Sequence, residues 1–156
     1  MNYPYGVNLV QVEVDSETGK VEVRRCFVAT ECGRVVSPML AEGQTAGGVA
    51  QGLGGALLEQ LTYDEVGQPR SASFMDYLLP SATEVPGVEM LMLEDAPTPT
   101  NPLGAKGLGE SGIVGMGAAV AAAVADALGR PGAVKELPIT PERARALSVA
   151  PTDVVT

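Results

Sequence analysis

One carboxylate, Glu110, lies within a glycine-rich segment that runs from Gly104 to Gly112. Glycines on both sides of an acid let the backbone approach a large ligand closely, and an acid held beside a ligand can act as a general base. The same residue could instead be an ordinary acid at a helix N-terminus, where the helix dipole stabilises it by about 0.3–1 kcal/mol. The residue types alone leave both interpretations open.

Residues 107–112 also match the pattern G-x-G-x-x-G. In dinucleotide-binding proteins this pattern follows a strand, and an acidic residue comes about 20 positions later, after the next strand. Here a proline-rich segment precedes the pattern, and Asp126 lies within a predicted helix. The phosphate-binding pattern G-x-x-x-x-G-K-[S/T] does not occur in the sequence. A nucleotide-binding function is therefore disfavoured.

Composition removes several other kinds of chemistry. The chain has 156 residues, a net charge of −9 and no histidine, so it cannot by itself form a Ser-His-Asp or Cys-His nucleophile or a His-ligated zinc site. The acidic balance and the lack of a basic run disfavour nucleic acid and membrane surfaces as partners. Cys26 and Cys32 are too few to hold an iron–sulfur cluster. We interpret them as small buried strand residues in a reducing, cytoplasmic protein.

The elements that must position Glu110 are predicted to be α+β, with strands and helices in separate runs. Alternating apolar residues over 7–14 and 21–32 flank a turn that contains Gly19, which predicts a β-hairpin with Gly19 in a left-handed conformation. Ser37 is a candidate N-cap and Pro38 suits the first helical position, and the segment to about residue 61 is predicted to be one helix or a loop followed by a helix. Its many glycines would weaken it, so we expect another backbone or a ligand to come close to them.

The rest of the chain is predicted to hold shorter elements. The apolar segment 112–128 falls short of the roughly 20 strongly apolar residues of a membrane-spanning helix, and the N-terminus shows no signal-peptide pattern. We assign residues 1–150 to one domain and residues 151–156 to a tail. In chain order we predict an extended segment over 71–79, a strand over 88–93, an irregular proline-rich segment over 96–102, a helix over 113–128 and a short helix over 140–147.

Two longer blocks of sequence resemble one known family. The first runs from Asn101 to Gly112 (NPLGAKGLGESG), and it looks like the catalytic-glutamate loop of the xanthine dehydrogenase, aldehyde oxidase and carbon monoxide dehydrogenase family. The second comprises residues 32–38, 42–44 and 47–54, and it is similar to the pterin-contacting helix region of the same molybdopterin-binding large subunits. The blocks occur in the family's order. The resemblance implies that this chain is the C-terminal part of such a subunit and forms one half of a molybdenum-cofactor-binding domain.

The resemblance also implies roles for individual residues. Glu110 would be the general base that deprotonates a hydroxyl on molybdenum, and Gln44 would donate a hydrogen bond to the metal's oxo ligand or to the pterin. A polar helix position facing solvent is the alternative for Gln44, and a solvated lysine is the alternative for Lys106. Glu31 stands where relatives often have Asp. The implied cofactor contacts are Gln44, Lys106, Gly107, Gly109 and Ser111.

The implied reaction is oxidative hydroxylation of an aldehyde, an N-heterocycle or a similar carbon centre, with water as the oxygen source. The implied cofactor is molybdopterin in its cytosine dinucleotide form, with FAD and [2Fe–2S] clusters on partner subunits. Because the family's catalytic subunits are much longer, we expect the chain to be inactive without the remainder of the molybdenum subunit. The alternative is a non-catalytic assembly module that keeps the scaffold. The intact Glu110 and Gln44 blocks favour the enzyme.

Overall fold

The computed structural model describes residues 2–149, which form a three-stranded sheet packed against helices. The predicted tail over 151–156 lies outside the described residues. The predicted α+β class is confirmed. The strands are β1 (Tyr5–Val14), β2 (Val21–Glu31) and β3 (Val88–Leu93), and the helices are α1 (Pro38–Leu57), α2 (Ser111–Val114), α3 (Met116–Ala127) and α4 (Pro141–Val149).

The predicted hairpin is confirmed, because β1 and β2 pair antiparallel over almost their whole length. Asp15 holds the turn: its backbone oxygen accepts the N–H of Gly19 at 2.7 Å, and its carboxylate accepts the N–H of Glu17 at 2.8 Å. Gly19 has φ 76°, the left-handed conformation expected there. The turn therefore fixes the register of the hairpin.

The third strand was placed correctly along the chain, but its pairing was not predicted. β3 pairs in parallel with β2, so α1 lies within the connection between two neighbouring strands. The sheet order β1-β2-β3 makes β2 the central strand. As a result the C-terminal ends of β2 and β3 lie side by side, with Glu31 paired to Leu93. The segments that follow both strands start at this edge.

Helix α1 begins as predicted and ends earlier than predicted. Pro38 occupies the first turn and Ser37 the N-cap position, although the Ser37 side chain makes no capping hydrogen bond. The helix ends at Leu57 rather than near residue 61. The carbonyl oxygen of Gly54 accepts the N–H groups of both Leu58 and Glu59, at 2.9 and 2.8 Å, which closes the last turn.

The glycines of α1 fall into two groups. A Cβ added at Gly48 would lie 3.0 Å from the Cα of Gly112, and one added at Gly52 would lie 2.6 Å from the Cβ of Met116. Here the helices α1, α2 and α3 approach as closely as the sequence led us to expect. At Gly43 and Gly47, by contrast, an added Cβ would meet no described atom within 4 Å. No backbone of residues 2–149 explains those two glycines.

Two sequence predictions about local structure are wrong. The helix predicted over 113–128 is interrupted at Gly115, where a Cβ would lie 2.4 Å from the side-chain nitrogen of Asn8 on β1. The close approach of that strand favours a glycine, which weakens the helix at this point. Residues 71–79 are not extended either, because the N–H groups of Asp76 and Tyr77 both donate to the carbonyl oxygen of Ser73 and form a helical turn.

The core lies between the inner face of the sheet and the helices α1, α3 and α4. Cys26 and Cys32 are buried and make no disulfide, which confirms their interpretation as small buried residues. Within residues 2–149, no helix is both long enough and apolar enough to cross a membrane. Fully buried side chains that fill the core include Val28, Val49, Leu53, Met116, Val120, Val124 and Ile139.

Candidate active site

Glu110 lies in the wall of an open cleft of about 830 Å³. The cleft is bounded by the N-terminal segment 2–8, by the end of β2 and by the loop 107–111. Glu110 precedes α2, is exposed, and uses neither carboxylate oxygen to cap that helix. Because α2 has only four residues, the helix-dipole interpretation of Glu110 loses its main support. The carboxylate is therefore available to a ligand in the cleft.

Gln44 connects helix α1 to the loop that carries Glu110. Its Nε2 donates a hydrogen bond to the carbonyl oxygen of Gly109 at 2.8 Å. The side chain is exposed on α1, but this contact means that it does not face solvent alone. Gln44 and Gly109 are 65 residues apart in the chain, so the two blocks of sequence meet immediately before Glu110.

The other residues of the loop differ in the hydrogen-bonding groups and the space that they leave available to a ligand. The N–H of Gly107 donates to the carbonyl oxygen of Asn2 at 3.0 Å, so that donor is already used. Gly109 has open space where a Cβ would lie. The Oγ of Ser111 is buried and has no hydrogen-bond partner among the described residues. A buried hydroxyl without a partner costs free energy, so a ligand that pairs with Ser111 would be favoured.

Thr30 is a candidate contact that the sequence reasoning missed. It lies on β2 at the floor of the cleft, is fully buried, and its Oγ1 also has no partner within residues 2–149. Its partner across the hairpin is Gly6, which has no side chain to cover it. A threonine at an inward-facing position of a predicted strand, opposite a glycine, was the available signal.

Lys106 does not line the cleft, and the solvated-lysine alternative is wrong. Its Nζ lies 2.5 Å from Oε2 of Glu31, and the two side chains are 10% and 1% exposed. The ring of Tyr5 covers the ammonium, with its centroid 4.9 Å from Nζ. Sequence reasoning did not identify Glu31 or Tyr5 as partners of this lysine. The implied contact between Lys106 and a cofactor stays a prediction.

The environment of Glu31 keeps it ionised. Burial acts to raise its pKa, but the hydrogen bond from Lys106 and those from the N–H groups of Gly33 and Ala96 outweigh burial. The net result holds the pKa of Glu31 below its ordinary value of 4.5. A carboxylate with three donors is the expected form of a buried acid that remains charged.

The structure also bears on the dinucleotide pattern. No strand leads into residues 107–112, since β3 ends at Leu93, and Asp126 lies inside α3 as predicted. The conditions for a dinucleotide-binding turn are therefore not met. Among residues 2–149, no group of three or more His, Cys, Asp and Glu side chains is placed to hold a metal ion.

Comparison with known proteins matches this arrangement to one family. Residues 1–86 match the family model of the molybdopterin cofactor-binding domain, a range that includes Gln44 and ends before Glu110. The gamma subunit of the 6-hydroxypseudooxynicotine dehydrogenase complex of Paenarthrobacter nicotinovorans is 53% identical over 143 residues, which are 92% of this chain and 18% of that protein.

Two solved structures have the same fold. Carbon monoxide dehydrogenase from Oligotropha carboxidovorans superposes with a TM-score of 0.86 at 36% identity, over 93% of this chain and 18% of that one. Quinoline 2-oxidoreductase from Pseudomonas putida gives a TM-score of 0.83 at 41% identity, over 90% of this chain and 18% of that one. The chain spans less than a fifth of the length of these relatives. It belongs to the molybdopterin cofactor-binding domain family, and it corresponds, as the two sequence blocks predicted, to one part of the large subunits of molybdenum-dependent dehydrogenases and hydroxylases.

Proposed function

We propose that this chain supplies the general base, Glu110, to a molybdenum hydroxylase that oxidises an aldehyde, an N-heterocycle or a similar carbon centre with oxygen from water. The observation that carries the proposal is the position of Glu110. Its exposed carboxylate lies in the wall of the cleft and does not cap α2, and the preceding residue, Gly109, is hydrogen-bonded to Gln44 of α1. In this role Glu110 accepts the proton of the water-derived nucleophile, so its carboxylate must be ionised and within hydrogen-bond reach.

The residues around the loop fit a large cofactor. Ser111 offers a buried hydroxyl that has no hydrogen-bond partner among the described residues. There is open space at Gly43 and Gly47, near Gln44 on α1, and at Gly109, two residues before Ser111. We propose that Gln44, Gly107, Gly109 and Ser111 hold molybdopterin in its cytosine dinucleotide form. When bound, that cofactor would supply the two-electron redox chemistry of the reaction. A contact from Lys106 has the least support, because Glu31 already neutralises its ammonium.

Substrate and partners belong to the whole enzyme, of which this chain would be one part. The relatives include a nicotine 6-hydroxylase large subunit and a quinoline 2-oxidoreductase, whose names favour an N-heteroaromatic substrate. The relative from the 6-hydroxypseudooxynicotine dehydrogenase is one subunit of a complex. We therefore propose that the chain works with the remainder of a molybdenum subunit and with partner subunits that carry FAD and [2Fe–2S] clusters. It would be inactive alone, and we expect it in the cytoplasm.

The test is turnover of the molybdenum-loaded assembly that contains this chain, with Glu110→Gln. The amide keeps the size of the side chain but cannot accept the proton, so we expect turnover to fall by about 10²–10⁴-fold. Glu65→Gln is the matched control, since Glu65 is exposed in the turn over 63–69, away from the cleft. Molybdenum content should stay equal in all three proteins. Full turnover in Glu110→Gln would instead identify the chain as a non-catalytic assembly module.

A further inference from the structure

The buried ion pair between Glu31 and Lys106 lies at the base of the loop that carries Glu110. We propose that both are positioning residues: they fix the start of this loop and thereby set where the Glu110 carboxylate lies in the cleft. This inference rests on the proposed function of Glu110. Neither Glu31 nor Lys106 lines the cleft, and the two side chains pair with each other instead.

The carboxylate of Glu31 joins three segments. Its Oε1 accepts the N–H of Gly33 at 2.8 Å, just after β2, and the N–H of Ala96 at 3.2 Å, just after β3. Its Oε2 accepts Lys106 Nζ at 2.5 Å. The two parallel strands end at the same edge of the sheet, and the loop is attached to that edge through one side chain. Loss of the carboxylate would remove one hydrogen bond from each of the three segments.

Backbone hydrogen bonds add to the attachment at Lys106 and at Gly104, two residues before it. Its own N–H donates to the carbonyl oxygen of Cys32 at 2.8 Å, and the carbonyl oxygen of Gly104 accepts the N–H of Arg34 at 3.2 Å. Gly33, with φ 65°, lets that carbonyl approach, since a Cβ there would lie 2.1 Å from the oxygen. The start of the loop is thus held against the end of β2 by main chain and side chain together.

Glu110 follows two attachments and directly precedes α2. Lys106, four residues earlier, is fixed to Glu31, and Gln44 holds the carbonyl oxygen of Gly109, immediately before Glu110. The intervening residues are mostly glycine, which confers no conformational preference of its own. A reactive carboxylate in such a loop needs fixed ends, because a misplacement of about 1 Å can cost about 10²-fold in rate.

A purely stabilising role does not account for this pair. Replacing a buried ion pair by apolar residues is often neutral or stabilising, whereas removing one partner is costly. The ring of Tyr5 also separates the ammonium from the cleft, so its charge is directed at Glu31 rather than at a ligand. What the pair provides is one defined geometry for the loop.

The first test is Lys106→Met in the molybdenum-loaded assembly. We expect kcat to fall by about 10- to 100-fold, with KM within about threefold of wild type and molybdenum content unchanged. Lys20→Met is the matched control: Lys20 pairs with Glu22 at 3.5 Å next to the hairpin turn, away from the cleft, where the side chains are 70% and 43% exposed. This control should leave kcat unchanged. Lys106→Arg, which keeps the cation, should recover part of kcat.

The double variant Glu31→Gln with Lys106→Met separates positioning from stability. The amide oxygen introduced at position 31 can still accept the N–H groups of Gly33 and Ala96, and no buried charge remains unpaired. Lys106→Met leaves the buried Glu31 unpaired and should lower the melting temperature. In the double variant we expect the melting temperature to return towards that of wild type while kcat stays low. Recovery of kcat together with the melting temperature would show a structural role only and overturn the proposal. If Lys106→Met alone does not fold, kcat of the double variant is compared with wild type instead.

Hydrogen exchange of the 156-residue chain gives a readout independent of activity. The backbone N–H groups of positions 106 and 107 donate to the carbonyl oxygens of Cys32 and Asn2, which belong to other segments. If the start of the loop is released in Lys106→Met and in the double variant, these hydrogen bonds should open more often, and both amides should exchange at least tenfold faster. Unchanged exchange would contradict the proposal. Failure of this inference remains distinguishable from failure of the proposed function. If Glu110→Gln abolishes turnover while Lys106→Met does not, only the positioning role is wrong, and if Glu110→Gln is fully active, the base assignment itself is wrong.

Discussion

Substitution of two glycines by alanine should have opposite effects on stability. A Cβ at Gly112 would lie 2.4 Å from the carbonyl oxygen of Thr45 and 2.9 Å from the backbone nitrogen of Val49, both in α1. A Cβ at Gly47 would meet no described atom within 4 Å. Both substitutions reduce the conformational freedom of the unfolded chain to a similar extent. The difference between them therefore measures the close approach of α1 and α2.

The magnitudes follow from these distances. In Gly112→Ala the contacted atoms are backbone, so α1 and α2 must move apart by several tenths of an ångström or more, which costs about 1–3 kcal/mol. Gly47→Ala lies in the interior of α1, where alanine is favoured over glycine by up to about 1 kcal/mol. We expect the free energies of unfolding of the two variants to differ by about 1–4 kcal/mol.

Urea unfolding followed by circular dichroism measures this difference, provided the slope against urea is the same in both variants. Free energies of unfolding that agree within about 0.5 kcal/mol would contradict the packing of α1 against α2. In the complete assembly Gly47→Ala serves a second purpose. If the open face of α1 beside Gln44 receives the cofactor, this stabilised variant should hold less molybdenum than wild type.

Three further predictions concern the isolated chain. The pKa of Glu31 is lower in the folded than in the unfolded chain. Its contribution to stability is therefore present above the unfolded pKa and is lost as the pH falls through the folded pKa. As the pH is lowered below about 4.5, the melting temperature of Glu31→Gln should drop less steeply than that of wild type. Elemental analysis should find far less than one molybdenum per chain, because most contacts to the cofactor would be missing, and a near-stoichiometric content would refute this. Light scattering should show self-association through exposed apolar residues such as Val7, Leu9 and Phe74, and a stable monomer over a wide concentration range would count against a missing partner.

Local signals in the sequence predicted most of the fold. The alternation over residues 7–14 and the turn at Gly19 predicted the hairpin, and Pro38 predicted the start of α1. Each of these depends on a few neighbouring residues. The parallel pairing of β2 with β3 depends on residues about 60 positions apart, and β3 is too short for its pattern to specify a partner. The break at Gly115 depends on the contact with Asn8, which no local pattern encodes.

The candidate site was predicted in the same uneven way. Glu110 and Gln44 were found because they lie in long blocks that resemble one family, and the structure brings them to the same loop. The partner of Lys106 was missed, because Glu31 looks like any polar residue at the end of a strand until the chain folds. Thr30 was missed for a similar reason, since its buried hydroxyl matters only beside a cleft. Pairings between distant elements are decided by tertiary structure.

The central claim, that Glu110 is the general base, is tested most directly by rapid-mixing kinetics of the reductive step in a molybdenum-loaded Glu110→Gln assembly. The sequence contains no histidine that could take over the proton. We predict that the rate of reduction by substrate falls by about 10²–10⁴-fold, with cofactor content and melting temperature close to wild type. A rate within about threefold of wild type, accompanied by a lower melting temperature, would show that Glu110 only stabilises the loop and would contradict the account.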